Sequence, residues 1–142
     1  MGTIRFVLCT LLCAGATATM AEAPKNAVLM DHSSAALIDA DSARGVLAAG
    51  IPARAWKLYP PNRWGYVSQV EGGFTASGSC VVTARVMQMP LTPTLKAMLF
   101  RPAKTATAFD AQAGISQEQC KQLAKTKLQE ALSGVVSSLV KL

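Results

Sequence analysis

Residues 65–89 read GYVSQVEGGFTASGSCVVTARVMQM, and the way this stretch pairs with itself decides the fold. In its second half Cys80, Val82, Ala84 and Val86 alternate with Val81, Thr83, Arg85 and Met87, the period-2 pattern of a half-buried strand. In its first half Tyr66, Val70 and Phe74 share one parity and Gln69 and Glu71 the other. A two-residue turn at Ser77-Gly78 sets Phe74 against Val81 and mixes polar with apolar on both faces. A three-residue loop, Ala76-Ser77-Gly78, puts glycine where such loops favour a left-handed residue. It sets Phe74 opposite Cys80, Val70 opposite Ala84 and Gln69 opposite Arg85. Tyr66, Val70, Phe74, Cys80, Val82, Ala84 and Val86 then make one core face, and a one-residue slip exposes them all. A β-hairpin in this register is predicted.

The hairpin needs a cover, and the C-terminus supplies one. Ser116-Gln117-Glu118-Gln119 is a capping box, with Ile115 placed to staple against Cys120. From there Cys120, Ala124, Leu128, Ala131, Val135, Leu139 and Leu142 fall on one helical face, flanked by Leu123 and Leu132. Gly134 interrupts this helix at a cost of about 1 kcal/mol.

Four cysteines are present. Cys9 and Cys13 lie in an N-terminal segment with Arg5, an apolar run from Phe6 to Ala14, and small residues before Ala21. That is the layout of a secretory signal peptide over residues 1–21, too short to span a bilayer, which needs about 20 apolar residues. Leucine precedes both cysteines, which argues against lipidation. Cys80 and Cys120 remain, and in an oxidising compartment a lone pair reads as one disulfide. Each sits on the apolar side of its own element, so the disulfide and the two periodicities agree. The expected class is α+β: a small antiparallel sheet, the hairpin plus one or two further strands, covered by a long C-terminal helix and closed by one disulfide.

Other segments read less sharply. Residues 22–34 are polar and mixed and are expected to be a mobile leader to a single domain over 22–142. Within Ser34–Gly50 a helix is expected at least from Asp41, capped by Asp41 or Ser42 and stopped by Gly50-Ile51-Pro52. The stretch from Ala53 through Pro60-Pro61 to Tyr66 reads as an extended loop. Thr92-Pro93 signals a short helix to Phe100, with a strand as the alternative, and Lys104–Ala111 reads as a strand.

The chain carries 14 basic and 8 acidic residues. Cleaving the first 21 of 142 residues leaves 121, removes Arg5 and brings the net charge to +5. The basic groups are scattered, which suits a solvated surface or an acidic envelope component better than nucleic acid. No stable membrane span is expected.

Enzymatic signatures are missing. Asp31-His32-Ser33 holds the three residue types of a triad, but neighbours in sequence cannot aim at one another as a triad requires. Asp39-Ala40-Asp41 fails as a calcium loop because Ala43 and Arg44 fill the next ligand and glycine positions. A cysteine–methionine metal site at Cys80, Met87 and Met89 is disfavoured because the methionines fall on the face opposite Cys80. A thioether site for Cu(I) needs Met87 and Met89 with Met98, or His32 with Met30. Met87, Met89 and Val67 could instead form an apolar partner patch. No resident cofactor is expected.

Both tryptophans and both tyrosines fall in AWKLYPPNRWGY, residues 55–66, interleaved with Lys57 and Arg63. Aromatic rings with arginine dominate binding hot spots, so Trp56, Tyr59, Arg63 and Trp64 are the expected partner-binding residues. The alternative for these rings is that they plug one end of the sheet.

Residues 59–110 also resemble the C-terminal domain of the TonB/TolA energy transducers. YPP precedes a hairpin whose FTASGSCVVTARVM is similar to their strand pattern, and TPTLKAML leads into FRPA. The resemblance implies a periplasmic protein-binding fold without chemistry. The expected role is therefore non-enzymatic binding of an envelope protein or acidic wall component, in the periplasm or outside the cell. The runners-up are an inhibitor or immunity protein that blocks a secreted hydrolase, and a periplasmic soft-metal (copper) carrier.

Overall fold

The structure, a computed structural model, describes residues 22–94, 96–99 and 101–140. The signal-peptide reading of residues 1–21, and Leu142 on the helix face, lie outside these residues. The order of elements is β1 (Val28–Asp31), α1 (Ala40–Gly50), α2 (Ala53–Leu58), β2 (Trp64–Phe74), β3 (Ser79–Pro90), β4 (Lys104–Ala113) and α3 (Gln117–Leu139). The strands form one sheet in sequence order, β1-β2-β3-β4.

The hairpin of β2 and β3 has the register its alternation demands: Phe74 faces Cys80, Val70 faces Ala84 and Gln69 faces Arg85. Gly78 takes φ 77° in the loop, which Thr75 closes by accepting from the Gly78 amide. Tyr66, Val70, Cys80, Val82, Ala84 and Val86 are all fully buried. Phe74 is the exception at 47% exposed. It sits at the last pair of the hairpin, where α3 is only beginning at Gln117, so the cover runs out beside it.

α3 lies on this core face. Its Ser116–Gln119 capping box is complete, and Cys120, Leu123, Ala124, Leu128, Ala131, Leu132, Val135 and Leu139 are buried. The Cys80–Cys120 disulfide ties its first turn to the start of β3, with the two Cα atoms 5.8 Å apart. The fold is thus α+β, a four-stranded sheet covered on one face by helices and closed by one disulfide.

Four local expectations change. The sheet is mixed and not wholly antiparallel, because residues 28–31, read as leader, pair in parallel with Gly65–Ser68 of β2. The Asp31 carboxylate fixes that edge by accepting from Ser33 Oγ at 2.6 Å and from the buried Ser68 Oγ at 2.7 Å. A parallel neighbour requires a crossover, and α1 and α2 provide it. α1 begins at Ala40, and its cap is Asp39 rather than Asp41 or Ser42, accepting from the Ser42 amide.

Residues 53–58, read as extended loop, form α2. ARAWKL is made largely of good helix formers, and Pro60-Pro61 only stops the helix. Residues 93–100 form neither the expected helix nor a regular strand among those described. Thr92 Oγ1 accepts from Ala97, five residues on, instead of capping a first turn. Lys96 takes φ 52°, a left-handed conformation that ends helical propagation. The segment instead folds back on β3, with Leu91 bridged to Met98.

Candidate functional site

The aromatic cluster of the sequence divides between core and surface. Trp56, on α2, is only 6% exposed and meets the ring of buried Tyr66 edge-on at 5.3 Å. Burial pushes the Tyr66 hydroxyl up from its usual value, and the hydrogen bond to Gln88 opposes that push. Trp56 therefore belongs to the core and offers a partner no surface. Tyr59 and Trp64 form a second edge-to-face pair at 5.5 Å. Both are half-buried, and Arg63 beside them is exposed. Of the four expected contact residues, Tyr59, Arg63 and Trp64 remain together at the surface. They cluster where α2 runs into β2, and Trp64 shares the side-chain parity of Tyr66, hence the helix-covered face.

Among the described residues no helix lies on the other face of the sheet, and there the sequence brings together residues far apart along the chain. Because side chains alternate along a strand, the register places two rows side by side. One row runs Val28, Gly65, Met89, and the next runs Met30, Val67, Met87. Val67 and Met89 form the floor, at 5% and 8% exposed, while Met30 is 40% exposed. His32 follows Met30 on the same side of the chain and lines the same space.

A further wall is the fold-back of residues 92–94 and 96–99. Thr92 and Ala97 hold its two sides together, and Leu99 donates to Pro90 O at 2.9 Å. Met98 reaches over the sheet to Gly65. A Cβ there would stand 2.8 Å from the Met98 Cε and 3.0 Å from the Val28 carbonyl oxygen, so a side chain would displace the methionine's flexible end. Lys96 lines the rim with its stem and turns its ammonium to Asn62 O and Pro93 O, at 3.0 and 2.7 Å. The result is a cleft of about 510 Å³. Its described lining holds four thioethers, one imidazole, the Lys96 side chain and apolar groups, and no carboxylate. The disulfide lies on the opposite face.

A second hollow, about 310 Å³, opens between the N-terminal ends of α1 and α3. It is polar and holds charges of both signs, Lys121 pairing with Glu118 at 3.1 Å.

Sequence reasoning named Met87, Met89, Met98, Met30 and His32 as two separate options for one kind of site. It did not join them, because joining them requires β1 to be a strand. The available signal was the short apolar run Ala27–Met30, with Leu29 and Asp31 of opposite parity to Val28 and Met30.

No protein-family model matches the chain, and no curated protein matches it. Among solved structures, the chain is similar to a crystal structure of a “putative lipoprotein” from Caulobacter crescentus CB15, with 9% identity over 78% of this chain and 82% of that one and a TM-score of 0.37. Among the described residues no helix is long and apolar enough to cross a membrane.

Proposed function

We propose that the protein is an exported, non-enzymatic binding protein of the cell envelope and that the methionine-lined cleft is its ligand site. One observation carries this reading. All four methionines from residue 22 onward, and the only histidine, line this one concave face. The ordinary account of methionine, a filler of core gaps, suits Met89. It does not suit Met30, Met87 and Met98, which border an open space. The N-terminal pattern of residues 1–21 and the Cys80–Cys120 disulfide support export, because such a bond persists in oxidising compartments.

The test compares wild type with Met87→Glu, which places a charge in the cleft without touching the helix-covered core. Both proteins are recovered from the envelope fraction, checked for equal melting temperature, and analysed for bound small molecules, metals and partners. The wild type should hold or capture a ligand that Met87→Glu loses. Equal retention by the two proteins rejects the cleft.

A second reading, inhibition of a secreted hydrolase, rests on the half-exposed Tyr59–Trp64 pair beside exposed Arg63. It requires Arg63→Ala and Trp64→Ala to abolish inhibition of wall hydrolysis while Met87→Glu leaves it intact.

A further inference from the structure

We propose that the cleft binds Cu(I), held by the thioether sulfurs of Met30, Met87, Met89 and Met98. The proposal rests on the cleft being the ligand site and names what occupies it.

The donor set selects the ion. Hard cations such as Mg²⁺ and Ca²⁺ take oxygen ligands, and the described lining supplies no carboxylate. Zn²⁺ is held by thiolate, imidazole or carboxylate, and of these only one imidazole is present. Both described cysteines are oxidised to a disulfide on the far side of the sheet, so no thiolate competes. Thioether donors are left, and they favour Cu(I).

The spacing suits convergence. Met30 and Met87 stand on either side of Val67, two strand spacings apart, about 10 Å between Cα atoms. Met89 is one pleat repeat from Met87, about 7 Å. Met98 arrives from the opposite wall above Gly65. Each thioether hangs on three rotatable bonds, so rotamer changes can turn the four sulfurs toward a common point between Gly65 and Val67. The ammonium of Lys96, which is part of the described lining, is already engaged by two backbone carbonyls.

The test is an anaerobic titration of the full mature chain with Cu(I) in competition with bicinchoninate. It is paired with methyl NMR of the methionines, using Ag(I) as a redox-inert substitute. The protein should withdraw Cu(I) from the chelator, and one equivalent of Ag(I) should shift the methionine methyl resonances together. Met87→Leu/Met89→Leu keeps side-chain volume and should fold normally. It should weaken Cu(I) binding by more than about 100-fold, since even outer-shell partners of a metal are worth 10- to 100-fold. Failure to compete with bicinchoninate, or equal retention by the double variant, overturns the proposal. If Cu(I) is not held but Met87→Glu still loses the envelope ligand, the cleft reading stands and the metal falls. If neither effect appears, both fall.

Discussion

At the scale of single residues the most informative pair is Tyr66 and Gln88, both fully buried on the core face. Their side chains are joined by one hydrogen bond of 3.3 Å from Gln88 Nε2 to the Tyr66 hydroxyl. Removing one partner strands the other in a dry site, which costs about 1–3 kcal/mol, whereas replacing both by apolar groups can be nearly neutral. Gln88 Oε1 is already buried without a partner, so Tyr66→Phe, which leaves the whole amide unpaired, should destabilise by about that amount, and adding Gln88→Leu should restore most of the loss. A urea-denaturation double-mutant cycle measures this, and additive losses would refute the coupling. Gln88 was not legible as a core residue, because an amide between Met87 and Met89 reads as an exposed position. Its parity with Cys80, Val82, Ala84 and Val86 was the correct guide, and residue type was the wrong one. Trp56 was misplaced for a related reason: an aromatic beside Arg54, Lys57 and prolines looks like recognition surface until a helix turns it inward.

Among the elements, α3 and the hairpin were legible because each carries a long, consistent period, and their cysteines fix the face of each independently. β1 was not, since four residues hold too little pattern to distinguish a strand from a leader. α2 and the 92–99 fold-back were misread because proline marks where a helix stops or starts without saying which side is helical. Gly134, a defect by propensity, has a structural reason. A Cβ there would stand 2.9 Å from the Ala106 Cβ, so glycine lets α3 approach β4. Gly134→Ala gains about 1 kcal/mol in helix propensity, but overpacking against a backbone-fixed methyl costs about 1–3 kcal/mol. The variant should be less stable than wild type, and Gly134→Ala/Ala106→Gly should recover stability in the same denaturation assay. A stabilised single variant would show that the helix shifts freely on the sheet.

For the whole molecule, the disulfide and the surface carboxylates set the conditions of stability. Cys80 and Cys120 are 40 positions apart, and closing a loop of that size is worth about 4 kcal/mol in the chain-entropy model, a large share for a domain of this length. Dithiothreitol, or Cys80→Ser/Cys120→Ser, should lower the unfolding free energy by about that amount. Acid should act through Asp39 and Asp110. The Ser42 side chain and amide hold the Asp39 carboxyl below its ordinary 3.8. The Ala111 amide does the same for Asp110 against an opposing push from burial, with help from Gln112 and Lys127. As pH falls, the unfolded chain takes up these protons first, so the stabilisation present above about pH 4 is lost through and below 3.8. Lys127 is held above 10.5, chiefly by its bond to Glu130, and its contribution persists until alkaline pH. Melting temperatures should stay level near neutrality and drop below about pH 4, with a shallower drop in Asp39→Asn/Asp110→Asn. Equal slopes would assign acid sensitivity elsewhere.

The covalent bond has one more effect, on mechanics. It closes residues 80–120 into a ring, and Met87, Met89 and Met98 all lie inside that ring. Met30 and His32 lie outside it, on and just past a four-residue rim strand that pairs with one other strand. One jaw is riveted and the other is only leaned into place, so a ligand of the proposed site would enter and leave by the yielding side. Amide exchange should reveal the asymmetry: backbone protons of residues 29–31 should be replaced by fluctuations far smaller than global unfolding, and those of residues 82–86 only by complete opening. Matching rates in the two strands would mean that the jaws part together or not at all.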